Sequence, residues 1–190
     1  MSWENAADQF TRALALPEPT PGGGAAAAMA GAMGCALAQM AVATTLKRAQ
    51  TPVEFRASLE KSHHKLAGLH HTLKDLMQQD AQAYDAYIAA CKLPKENSSR
   101  LQVMQDALWF AATVPADTAA TCREVLQEVE QVQDKIAPVI LSDVACARHL
   151  LRGAIACCTE NIRANLVYIK QPERVKKIMT LLETYESNRN

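Results

Sequence analysis

Residues 59–90 read "LEKSHHKLAGLHHTLKDLMQQDAQAYDAYIAA", and the spacing within them decides the fold. Leu59, Leu66 and Leu73 fall seven residues apart, and Leu69 and Leu76 fall three after the last two. That is the a/d seam of one long packed helix. Counting on, the seam continues through Asp80, Ala83, Tyr87 and Ala90. A carboxylate thus lands on a stripe that should be buried, where an ionised acid costs on the order of several kcal/mol unless it is paired or hydrogen-bonded. Either the seam ends early and Asp80 faces water, or Asp80 belongs to a buried polar network or a functional site, where perturbed acids cluster.

Outward from this helix the chain reads as helix nearly everywhere. Ser2 is placed to cap a first helix carrying Trp3, Phe10, Ala13 and Leu14, ending before Pro17. A small-residue helix is predicted over 25–48, and Pro52 suits the first turn of the 59–90 helix, which Pro94 stops. Helices are further predicted over 97–112 and 116–136, separated by Val114–Pro115, then over 142–169, then from Pro172 onward. No alternating strand pattern occurs. The expected class is therefore all-α. We expect a single-domain antiparallel bundle over residues 1–190, with long helices and short connections.

The segment before the small-residue helix, "PEPTPGGG" at 17–24, spends three of the chain's 7 glycines together. The helix after it carries two rows at four-residue spacing, Ala27, Gly31, Cys35 and Ala30, Gly34, Ala38. Such rows offer a shallow groove into which another helix presses. Residues 25–46 are apolar enough to raise a membrane span, but they lean on Ala and Gly and contain Gln39. The expectation is a core helix.

Lys plus Arg number 20 and Asp plus Glu number 20, a balance that argues against nucleic acid or an anionic membrane as the main partner. The 6 cysteines include no C-x-x-C, and the N-terminus has no signal-peptide pattern. Both point to the cytoplasm and to free thiols acting as small apolar fillers. His63 and His64 precede His70 and His71 by seven residues, a rise of roughly 10 Å that a single metal does not bridge. No metal site is expected. In the 142–169 helix one stripe runs Val144, Ala147, Leu151, Ala154, Cys158, Asn161, Asn165. It starts apolar and ends in two amides. Asp143 stands at its start, where an acid also simply complements the helix dipole.

Taken in order, "PTPGGG", "D80-x-x-A-Y", "LPK" at 93–95, "VP" at 114–115, "SDV" at 142–144 and "N161-x-x-x-N165-L166" resemble the cyclodeaminase/cyclohydrolase family over nearly the whole chain. That family includes the cyclodeaminase part of formiminotransferase-cyclodeaminase and stand-alone methenyltetrahydrofolate cyclohydrolases. The resemblance implies an all-helical homodimer that binds a reduced folate near the subunit interface. It implies either cyclising loss of ammonia from 5-formiminotetrahydrofolate or hydrolysis of 5,10-methenyltetrahydrofolate. The first is the leading expectation, and a helical protein that kept the fold without catalysis is the third. The chain departs from the family pattern at Ala25, where Ser is usual. It departs again in "TTLKRAQ", where a Gly before Lys47 is missing.

Under this resemblance the candidate catalytic acids are Asp80 and Asp143, each able to give and take a proton at nitrogen. The candidate substrate-binding residues are Gly22, Gly23, Gly24, Lys47, Lys95, Ser142, Asn161 and Asn165. Backbone N–H groups at Gly22–Gly24 form an anion seat or a bare backbone wall. Lys47, Arg48 and Lys95 suit the glutamate tail. Gly23 is expected to resist β-branched replacement if the loop needs positive φ. No cofactor beyond the tetrahydrofolate substrate is expected.

Overall fold

The computed structural model describes residues 2–186. Six α-helices follow in order: α1 Trp3–Ala15, α2 Gly23–Lys47, α3 Val53–Cys91, α4 Arg100–Val132, α5 Leu141–Leu166 and α6 Pro172–Glu186. Two short 3₁₀ turns, Gln133–Lys135 and Pro138–Ile140, join α4 to α5. Ser2 caps α1 as expected, its Oγ accepting from the Asn5 N–H at 3.3 Å. No strand occurs among the described residues.

One boundary differs. The expected break at Val114–Pro115 is absent, and α4 runs through Pro115 without interruption. A proline inside a helix removes the N–H that residue i−4 would accept and crowds that carbonyl. Here the carbonyl is Ala111 O, and Asn165 Nδ2 from α5 donates to it at 2.8 Å. The lost bond is replaced from the next helix, so the helix continues.

Helices α2, α3, α4 and α5 pack as a ring around the core. Gly24 lies beside Asp80, Gly31 beside Leu73, and Cys35 Sγ bonds Leu66 O, so numbering falls along α3 as it rises along α2. The same reversal links Gly23 to Asn161 and Gly34 to Leu151 across α2 and α5. The seam leucines Leu59, Leu66 and Leu73 are fully buried, each stabilising by about 1.5–3 kcal/mol on transfer from water.

The small-residue rows act as their spacing suggested. A Cβ at Gly31 would lie 2.6 Å from Cys122 Sγ, and one at Gly34 would lie 2.9 Å from Leu151 Cγ. Helix α2 is long and apolar enough to cross a membrane, yet 56% of its most apolar window is buried within the protein. All six thiols are free, and Cys35, Cys122 and Cys158 are buried. Burial pushes the Cys35 and Cys122 thiols up to about 12, so neither offers a thiolate near neutral pH.

Helix α1 stands apart. It has no buried residue, although Trp3, Phe10, Ala13 and Leu14 recur on one side and Asp8 pairs with Arg12 on another at 2.8 Å.

Candidate active site

The N-terminus of α2 meets the C-terminal half of α3 and the end of α5. Gly22 is the N-cap of α2 and carries no side chain to satisfy the first N–H groups. Asp80 supplies the missing acceptor from α3: its Oδ2 takes the Ala25 N–H at 2.8 Å. The carboxylate comes so close that a Cβ on Gly24 would lie 2.5 Å from Asp80 Cγ and nearer still to Oδ1. The next glycine meets an amide, since a Cβ on Gly23 would lie 3.3 Å from both Asn161 Oδ1 and Nδ2.

These contacts revise the reason for the glycine run. No glycine has positive φ, so the expectation of a left-handed loop at Gly23 does not hold. Gly24 is there for close approach, and what approaches is Asp80. The positive end of α2 is likewise already matched by an internal carboxylate, as the helix dipole favours. The Ala25 N–H is thereby taken by the protein itself.

Gly22, Gly23, Gly24, Asp80, Asn161 and Asn165 all line one cleft of about 420 Å³, a size within the range of small-molecule sites. Tyr84, Tyr87 and Tyr168 line it as well, with Leu108 and Ala111. Burial holds the Asp80 carboxyl above the usual carboxylate range, while the Ala25 N–H pulls in the opposite direction. Each asparagine has its NH₂ engaged by a protein carbonyl: Asn161 Nδ2 donates to Cys157 O at 2.9 Å and Asn165 Nδ2 to Ala111 O at 2.8 Å. Only an NH₂ can bond a carbonyl, so this fixes both amide orientations. With the NH₂ groups so engaged, each amide keeps its Oδ1 free as an acceptor in a fixed orientation. Together with Asp80 they make an acceptor-rich floor between aromatic walls, and no lysine or arginine is among the lining residues. Such a cleft suits a flat ring with a donor-bearing edge.

The remaining expected residues lie elsewhere. Lys95 is exposed in the α3–α4 connection, at the cleft's end of the bundle but outside its lining. Lys47 ends α2, and Ser142 and Asp143 open α5. These three sit at the opposite end, since α2 has 25 residues and spans roughly 37 Å. In "TTLKRAQ", Thr45 Oγ1 accepts from the Ala137 N–H at 3.1 Å, and the Thr51 hydroxyl donates to Thr45 O. That segment fastens the far end of the bundle.

The tyrosines were not singled out from sequence, although the signal was present. Tyr84 and Tyr87 follow Asp80 by four and seven residues, on the same helical face, and Tyr168 follows Asn165 by three. Tyr168 is 62% exposed, but its backbone is held. Gln105 Nε2 donates to Tyr168 O at 3.2 Å, and Gln105 Oε1 accepts from the Lys170 N–H at 2.7 Å.

Comparison with known proteins agrees with this architecture. The family model described as Formiminotransferase-cyclodeaminase matches residues 6–184. A methenyltetrahydrofolate cyclohydrolase from Methylorubrum extorquens is 33% identical over 96% of this chain and 91% of its own length. A formimidoyltransferase-cyclodeaminase from Rattus norvegicus is 29% identical over 83% of this chain, which matches only 30% of that longer protein. The crystal structure of a formiminotetrahydrofolate cyclodeaminase from Thermotoga maritima superposes with a TM-score of 0.84 at 26% identity, covering 98% of this chain and 89% of that one. An all-helical fold, a matched region running from α1 to α6 and a near full-length relative at one-third identity lead to one conclusion: the chain belongs to the formiminotransferase-cyclodeaminase family.

Proposed function

We propose that this protein is a folate one-carbon enzyme acting on the carbon that joins N5 and N10 of a tetrahydrofolate derivative, with Asp80 as its proton carrier. The observation that carries this reading is Asp80 itself: a half-buried carboxyl, lifted above the usual range, at the floor of a tyrosine-walled cleft. A carboxyl held above its usual range by burial gives and takes protons in turn. The pterin amino group and ring N–H groups are donors, and Asp80, Asn161 and Asn165 are acceptors.

Two reactions use this equipment. In hydrolysis, water adds to the methenyl carbon and gives up a proton. The C–N5 bond then breaks as N5 takes a proton, leaving the 10-formyl compound. In cyclising deamination, N10 attacks the formimino carbon and loses its proton. The departing nitrogen is protonated and leaves as ammonia, giving the 5,10-methenyl compound. The Methylorubrum relative, matched along almost its whole length, supports hydrolysis slightly over the deamination expected first. The Thermotoga structure, also matched nearly end to end, supports deamination as the second reading. Incubating the purified protein with each folate separately, while following loss of the methenyl compound or release of ammonia, decides between them. Turnover of neither sinks the enzymatic reading and leaves a non-catalytic ligand-binding protein.

The same reading includes a homodimer. The apolar side of α1 buries no residue fully, with Trp3 79% exposed, and α2 leaves Met33 and Met40 partly exposed along its outer face. Exposed apolar side chains of this kind are what an interface covers. A twofold axis across the middle of α2 sets two α2 helices side by side in opposite directions. It carries the partner's end of the bundle with Lys47, Ser142 and Asp143 toward the cleft, where Lys47 adds a cation that the cleft's own lining lacks. Light scattering is expected to give twice the 20.7 kDa mass of one chain. A clean monomer at micromolar concentration would overturn this assembly.

A further inference from the structure

We propose that Pro115 is a positioning residue of the cleft: by giving up a helical hydrogen bond it hands the Ala111 carbonyl to Asn165, and so fixes which atom of Asn165 faces the ligand. In a regular helix Ala111 O would accept from the N–H of residue 115. Pro115 has no N–H, and its ring displaces that carbonyl from the ladder. Pro115 is buried inside α4, with eight residues or more of regular helix on either side. Nothing in the local backbone calls for a proline there. A proline in a helix interior costs roughly 3 kcal/mol against alanine, so its presence asks for a return elsewhere.

The return is at the cleft. Ala111 and Asn165 both line it, and Asn165 Nδ2 bonds the freed carbonyl at 2.8 Å. Without a fixed carbonyl to bond, the amide of Asn165 is free to rotate and present either NH₂ or oxygen. With it, one N–H of Nδ2 is tied to Ala111 O and Oδ1 is held in a single orientation toward the cleft. Asn161 reaches the same result by a different route, since its Nδ2 bonds the Cys157 carbonyl one turn back on its own helix at 2.9 Å. Asn165 has no such bond to its own helix and relies on α4.

The test is Pro115→Ala, in which the restored N–H competes for Ala111 O and draws that carbonyl back into the helix. The variant is expected to melt at the same temperature as wild type or higher, because a helix-breaking residue has been removed. Its KM or Kd for the folate substrate is expected to rise by about 2- to 10-fold, the worth of one neutral hydrogen bond, with kcat changed much less. In an Asn165→Ala background, Pro115→Ala is expected to have no further effect on folate affinity. An unchanged KM in a folded Pro115→Ala protein, or an effect that adds in full to that of Asn165→Ala, would overturn the proposal.

A second measurement needs neither folate nor a folded variant. In wild type, the Asn165 side-chain N–H that bonds Ala111 O is expected to be protected from solvent exchange in NMR spectra. Free exchange at that amide would also overturn the proposal. The affinity arm rests on the folate reading of the cleft, whereas the amide arm does not. Protein that binds no folate yet shows a protected Asn165 amide therefore defeats the functional reading and leaves the positioning role standing.

Discussion

Asp80→Asn is expected to fold like wild type and to lose about 10²- to 10⁴-fold in turnover, the usual worth of a general acid–base group. The fold survives because asparagine keeps an oxygen for the Ala25 N–H, the one bond by which Asp80 closes the N-terminus of α2. Catalysis does not survive, because an amide neither gives nor accepts a proton in the working pH range. The pH dependence of stability supplies a separate check. Burial raises the Asp80 pKa in the folded chain, so the folded state holds this proton more tightly than the unfolded one. Stability from this group is full below the unfolded carboxylate value and is lost as pH rises through the lifted folded value. Asp80→Asn should remove that component and flatten the stability profile on the acid side of neutrality. Steady-state kinetics on both folates, with circular dichroism as the folding control, decide the matter. If wild type turns over and the folded variant stays within about threefold, too little for lost acid–base catalysis, Asp80 is only a helix cap.

The heptad count found Asp80 because burial on a long helix is a repeat property. Leu59, Leu66, Leu73, Leu76, Ala83 and Ala90 are buried on the same stripe, and a carboxylate among them is conspicuous without any knowledge of its partners. Helix boundaries set by local signals, such as the Ser2 cap and the stop near Pro94, were legible for the same reason. Pro115 was misread because its rule is also local, while the bond that overrides it comes from Asn165, 50 positions on. The division of the expected site residues was out of reach on similar grounds. Asp80 and Asp143 each sit in a recognisable motif, but no motif encodes that α2 carries Gly24 to one end of the bundle and Lys47 to the other. The tyrosine walls lay between these extremes. Their spacing from Asp80 was visible, but an aromatic residue on a helical seam more often fills a core than lines a cleft.

Gly24→Ala puts the close approach itself on trial. A Cβ there falls 2.5 Å from Asp80 Cγ and closer to Oδ1, well inside any real carbon contact. The backbone of α2 is held by α3 and α5 on either side, and Asp80 has a short side chain with little freedom to bend. The carboxylate must therefore rotate away from the helix end, giving up the Ala25 N–H. Overpacking of this kind costs about 1–3 kcal/mol, and for a chain of 190 residues each kcal/mol lowers Tm by about 2–4 °C. The loss of turnover is expected to approach that of Asp80→Asn, because a misplaced acid serves no better than a missing one. Gly68→Ala is the control. It lies in the interior of α3 with nothing within 4 Å of its added Cβ, so it should raise stability by about 0.5–1 kcal/mol through helix propensity alone and leave turnover untouched. A folded Gly24→Ala protein that turns over like wild type would show that α2 and Asp80 part easily. Asp80 would then not be held where the proposed chemistry needs it.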